Sequence, residues 1–176
     1  QADILSQAIE DQQAGRFTEA ATKLQSVVAD RPDDLAALER LALVHHALGD
    51  LQSAAKCFET LCQRQPASAS AHNNLATVLG QMGRFDEAMI RYEQALAIDA
   101  GFGDARFNLA QILEMRGRSE KAIDGYQEVV ARHPTHKLAW YRLGYMLFAS
   151  GLREAAQEAY RRAIALDADF VEARWA

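Results

Sequence analysis

Glycine recurs at Gly15, Gly49, Gly83, Gly117 and Gly151, a 34-residue spacing repeated without insertion or loss. Five residues after each comes an alanine: Ala20, Ala54, Ala88, Ala122 and Ala156. A fixed period of this length means that one supersecondary unit is copied along the chain, and such units stack on their neighbours rather than close on a single core. The period also supplies coordinates, because any residue is placed by subtracting a multiple of 34. The blocks run 1–34, 35–68, 69–102, 103–136 and 137–170, and residues 171–176 open a sixth.

Apolar residues inside each block follow helical spacing on both sides of the glycine. In the third block Leu75, Val78 and Leu79 make one stripe, and Ala88, Tyr92, Ala95 and Leu96 make another. Each block is therefore expected to be two antiparallel helices, A and B. Glycine stands where helix A must stop, since the residue past a helix end often takes a positive φ that only glycine adopts without steric cost. Small residues at position 8 (Ala8, Ala42, Ala76, Ala110, Gly144) and position 20 allow the two helices to cross closely. Larger ones at position 24 (Leu24, Phe58, Tyr92, Tyr126, Tyr160) fill the space between neighbours.

The composition agrees, with 49% hydrophobic residues, 24% charged and three prolines. No apolar run reaches a membrane span, and no N-terminal segment reads as a signal peptide, so a cytoplasmic protein with no membrane partner is expected. A formal net charge of −5 argues against a dedicated nucleic-acid binder. Cys57 and Cys62 are spaced for neither a local disulfide nor a zinc knuckle.

These repeat positions resemble the tetratricopeptide-repeat family over residues 1–170. Leucine with Ala or Gly at positions 7 and 8, Gly at 15, Ala at 20, an aromatic at 24 and Pro at 32 make the match. Trp140, Leu143, Gly144, Gly151, Ala156 and Tyr160 show it in the fifth block. The resemblance implies an all-α, right-handed superhelix, an α-solenoid of five repeats forming a single domain, with a sixth helix A starting at 171–176. Gln7 and Asp11 depart from the family pattern in the first block, which suits an end repeat with a solvated outer face. The unfinished sixth helix suggests a piece of a longer protein.

No constellation reads as catalytic. His45 and His46 diverge on one helix, with His45 at a position usually packed, and Glu93, Glu114 and Glu128 are scattered without positioned partners. No phosphate loop, nucleophile motif or metal-ligand spacing appears, so no cofactor, no metal and no enzymatic activity of this chain are expected, and any catalytic domain would lie outside it.

The resemblance places the informative surface on helix A, whose positions 2, 5, 6, 9, 12 and 13 line a concave groove in that family. The groove residues expected here are Arg40, Asn73, Asn74, Thr77, Phe107, Asn108, Gln111, Tyr141, Arg142, Tyr145 and Phe148. The middle is amide-rich, suited to a peptide backbone, and the C-terminal part is aromatic with one arginine. The function expected is a scaffold that binds a peptide or protein segment. Asn-Leu-Ala at 74–76 and 108–110 also resembles the asparagine ladder of O-linked N-acetylglucosamine transferase arms, leaving a substrate-recruiting arm as an alternative. Self-association through exposed array ends is a third reading.

Overall fold

A computed structural model describes residues 3–167; the expected sixth helix at 171–176, with Trp175, lies outside the described residues. The chain divides into two compact units, Gln1–Ile98 and Asp99–Ala176. The first holds three helical hairpins: α1 (Ile4–Gln13) with α2 (Phe17–Asp30), α3 (Leu35–Ala47) with α4 (Leu51–Arg64), and α5 (Ala69–Gln81) with α6 (Phe85–Ile98). The second holds two: α7 (Gly103–Met115) with α8 (Ser119–Arg132), and α9 (Lys137–Ala149) with α10 (Arg153–Leu166). Within each unit a B helix packs on the A helix that follows it there, α2 on α3, α4 on α5 and α8 on α9, so the fold class is all-α, of the stacked-hairpin solenoid type.

Each hairpin turns on its glycine. Gly15, Gly49, Gly83, Gly117 and Gly151 all have φ between 69° and 81°, and a Cβ at any of them would meet nothing within 4 Å. Backbone handedness alone therefore selects glycine there, since an L residue at such a φ costs about 1–2 kcal/mol. The turn also satisfies the end of helix A: Gly83 N donates to Gly80 O at 3.0 Å and Arg84 N to Leu79 O at 2.9 Å, with equivalent bonds at the other turns.

Ala8 and Ala20 are fully buried and pack with Ala21, Leu24, Leu41 and Val44, so small residues at positions 8 and 20 bring α1 and α2 together over the apolar residues of α3. Glycines in the last two hairpins show how closely the paired helices approach. A Cβ on Gly125 would lie 2.9 Å from the Cβ of Ala110, and one on Gly144 would lie 2.8 Å from the Tyr160 ring. Neither distance leaves room for a methyl group.

A second repeated device ties the start of helix A to the preceding loop. At position 4, His72 Nε2 donates to Pro66 O at 3.2 Å, an Arg106 guanidinium nitrogen to Ala100 O at 3.1 Å, and Trp140 Nε1 to Pro134 O at 2.8 Å. Three chemically different donors meet one loop carbonyl that helix geometry leaves free. A carbonyl only accepts, so the His72 proton sits on Nε2. Asp34, Ser68 and His136 add side-chain caps, each accepting from a backbone N–H three residues on.

The first hairpin differs from its expected solvated face. Asp11 is 6% exposed, held by Arg16 at 2.7 Å and Lys23 at 2.6 Å. A carboxylate can occupy this packed position because two cations, one from the turn and one from α2, replace its water. Hydrogen bonds from Lys23 first, then Arg16, hold its pKa below the ordinary carboxylate value.

Candidate functional site

The A helices carry the site residues expected from sequence, and the structure sorts them into those already engaged and those still open. In the first unit Asn73 is 8% exposed, its amide donating to Asn74 Oδ1 at 3.3 Å. Thr77 donates to Asn73 O at 3.0 Å, and with its proton spent there it accepts from the Tyr92 hydroxyl at 3.0 Å. Arg40 reaches back to Gln12 Oε1 on α1 at 3.4 Å, and His46 meets Gln81 Oε1 on α5 at 2.8 Å. Neighbouring A helices are thus joined by polar side chains at positions 6, 12 and 13. Asn74 is left partly exposed with its amide hydrogens unspent.

His45 sits in the interior as its position implies, with Nδ1 3.3 Å from Asp50 Oδ2. Asp50 caps α4 by accepting from Ser53 N at 3.1 Å, and that hydrogen bonding, ahead of the nearby His45, lowers its pKa.

In the second unit the same positions carry different chemistry. Phe107 is 7% exposed, its ring 5.7 Å from that of Tyr126 and 4.7 Å from that of His136, so it serves the hairpin interior. Tyr141 is half-buried with its ring 5.9 Å from that of Tyr160. Asn108 and Gln111 are partly exposed, while Tyr145 at 48% and Phe148 at 50% present large aromatic surfaces to solvent.

Glu114 has the positioned partners that sequence reading denied it. Its Oε2 accepts from the Tyr126 hydroxyl at 2.6 Å, and its Oε1 lies 3.3 Å from Arg142 on α9. Burial, and then this carboxylate, push the Tyr126 phenol far above its ordinary pKa. Glu128 is likewise paired, 2.7 Å from Arg106. Repeat position reveals the first pairing in retrospect, because Gln12 to Arg40 and Glu114 to Arg142 both run from position 12 to position 6 of the next block. The arginines that interrupt the Asn-Leu-Ala recurrence are therefore anchored by the preceding A helix. The likeness to transferase arms rests on Asn74 and Asn108 alone.

Among the described residues no group of three or more His, Cys, Asp or Glu could hold a metal ion, and no helix is long and apolar enough to cross a membrane. The cysteines are unbridged, and burial raises both thiol pKa values. An open surface pocket of about 410 Å³ in the second unit is lined by Gly101, Gly103, His133 and His136 together with Asp99 and Asp104.

Tetratricopeptide-repeat models match residues 5–69 and 47–101, 79–143 and 138–170. The chain belongs to the tetratricopeptide-repeat family. No curated protein matches it by sequence. Similar solved structures include MamA of Desulfovibrio magneticus RS-1, 20% identical with a TM-score of 0.86 over 95% of this chain and 94% of that one. YrrB, described as a TPR protein with an unusual peptide-binding site, is 19% identical with a TM-score of 0.78 over 97% and 88%. A thermophilic TPR protein of Thermus thermophilus is 19% identical with a TM-score of 0.70 over 97% and 93%. At such identities these likenesses establish the fold.

Proposed function

We propose that this chain is a non-catalytic protein-interaction scaffold that takes a peptide or protein segment on the exposed side of its A helices. The observation that carries this reading is the pair Tyr145 and Phe148, two aromatic side chains about half exposed on α9. Rigid aromatic area of this kind favours recognition, because burying it against a partner gains apolar contact at little entropic cost. Asn74, Asn108 and Gln111 add carboxamides at the same or neighbouring repeat positions, each able to donate to and accept from a peptide backbone. The unbroken 34-residue register across residues 98 and 99 supports reading both units as one repeat domain. YrrB, a similar fold, is described as having a peptide-binding site, which is consistent with the proposal.

A peptide-array screen with the intact chain tests it. The expected result is a set of bound peptides whose affinity falls in the Asn74→Ala, Asn108→Ala double variant while the helical circular dichroism is unchanged. Peptides that bind this variant as well as the original chain would remove the carboxamides from the site.

A further inference from the structure

His136 stands at the start of α9 and caps it by lending a lone pair: its Nδ1 accepts from Ala139 N at 3.1 Å. Three other helices are capped in the same way, but by oxygen. Ala37 N donates to Asp34 Oδ1, Ser53 N to Asp50 Oδ1 and Ala71 N to Ser68 Oγ. A carboxylate or hydroxyl oxygen keeps its lone pairs throughout the neutral range, whereas an imidazole nitrogen yields its lone pair to a proton within about pH 8 to 5. Of these four caps, the one on α9 is therefore the one lost when its residue takes up a charge.

His133, three residues earlier, gives the comparison. Its Nε2 lies 3.2 Å from Gly101 O, and a carbonyl only accepts, so that nitrogen carries a proton in the neutral ring and in the cation alike. Protonation leaves this contact in place and removes the one at His136. Both rings line the open pocket of about 410 Å³, together with Asp99 on the preceding loop and Asp104 in the first turn of α7. Beside His136 in sequence stands Lys137, which pairs with Asp167 at 2.6 Å. Phe107 of α7 packs on the His136 ring, centroids 4.7 Å apart, within reach of a cation–π contact. An imidazolium at this position thus has two carboxylates and an aromatic face in the pocket. At α9 it has only the N–H end of a helix, which repels a cation.

We propose that His136 makes the start of α9 pH-sensitive: the neutral ring caps the helix through Nδ1, and the protonated ring releases Ala139 N and turns to the carboxylates of the pocket. The proton comes from solvent and enters at Nδ1, which changes from acceptor to donor. Ala139 N also reaches His136 O at 3.1 Å, so the first turn loosens rather than unwinds. The device lies within one unit and is independent of the scaffold reading.

Amide hydrogen exchange and imidazole nitrogen shifts, both read by NMR on the intact chain, make the test. At neutral pH the His136 Nδ1 shift is expected to be that of an unprotonated nitrogen, with the proton on Nε2. Between about pH 7.5 and about pH 5.5 the protection factor of Ala139 is expected to fall roughly threefold to tenfold, while that of Ala71, under the Ser68 cap, holds. His136→Ser, whose hydroxyl caps in either condition, flattens the change. His136→Ala gives the low protection at both pH values, and His133→Ala leaves the fall as it was. A proton on Nδ1 at neutral pH, no fall in the original chain, or a fall that persists in His136→Ser overturns the proposal. A parallel fall at Ala71 also overturns it, because acid would then be loosening the helices generally.

Discussion

Tyr126 on α8 donates to Glu114 on α7 at 2.6 Å, while Tyr160, one repeat later, buries its hydroxyl against no acceptor. The two tyrosines share a repeat position and differ only in what helix A offers them.

That difference predicts opposite responses to the same substitution. Tyr126→Phe removes a hydrogen bond to a carboxylate and should destabilise by about 1.5–3 kcal/mol. Tyr160→Phe removes a buried hydroxyl that gains nothing, and should leave stability unchanged or raise it. Urea unfolding followed by circular dichroism compares the two; equal losses would mean that the Tyr160 hydroxyl has a partner.

The turn glycines and the crossing glycines should fail for different reasons. Gly83 has φ 77° with open space around it, so Gly83→Ala is expected to cost roughly 1–2 kcal/mol through backbone strain alone. Gly83→Asn should cost less, because asparagine tolerates the left-handed region. A loss that grows with side-chain volume instead would contradict the strain account.

At Gly144 the backbone is helical and the obstacle is the Tyr160 ring, 2.8 Å from an added Cβ. Gly144→Ala should destabilise by about 1–3 kcal/mol through overpacking. Placing it in a Tyr160→Leu background should recover part of that loss, since the two sites share one space. Strict additivity of the two changes in thermal unfolding would argue that they do not touch.

Acid should loosen the first hairpin only once pH falls below about 4. Hydrogen bonds from Lys23 and Arg16 depress the Asp11 pKa in the folded chain below its usual 3.8, so the stabilisation is fully present above about that value. It is lost as pH falls further, through the folded pKa, when the carboxylate takes up its proton. Asp11→Asn should therefore lower stability at pH 7 and flatten the loss below pH ~4, read from urea midpoints across an acid series. An unchanged acid slope would mean that Asp11 is not linked to folding.

Much of this architecture is legible from spacing because each position repeats one steric demand. Glycine at 15 is forced by φ and small residues at 8 and 20 by helix approach, and both demands act within a single block. The side-chain partners are less legible, since they depend on the chemistry of two blocks at once. Asp11 looks like a solvent-facing end residue until Arg16 and Lys23 are seen to neutralise it. Glu114 looks isolated because its partners stand 12 and 28 residues away, on other helices. Asn73 and Phe107, expected on the binding face, are mostly buried, because their side chains engage Asn74 in one case and the rings of Tyr126 and His136 in the other.

The central claim is that recognition belongs to the exposed side of the A helices, and calorimetry on two variants with one array-selected peptide tests it most directly. Tyr145→Ala with Phe148→Ala alters the α9 face, and Arg161→Ala with Arg162→Ala alters the exposed charges of α10. The account predicts at least a roughly tenfold loss of affinity for the α9 variant and little change for the α10 variant. Unaltered binding by the α9 variant together with loss in the α10 variant would contradict it.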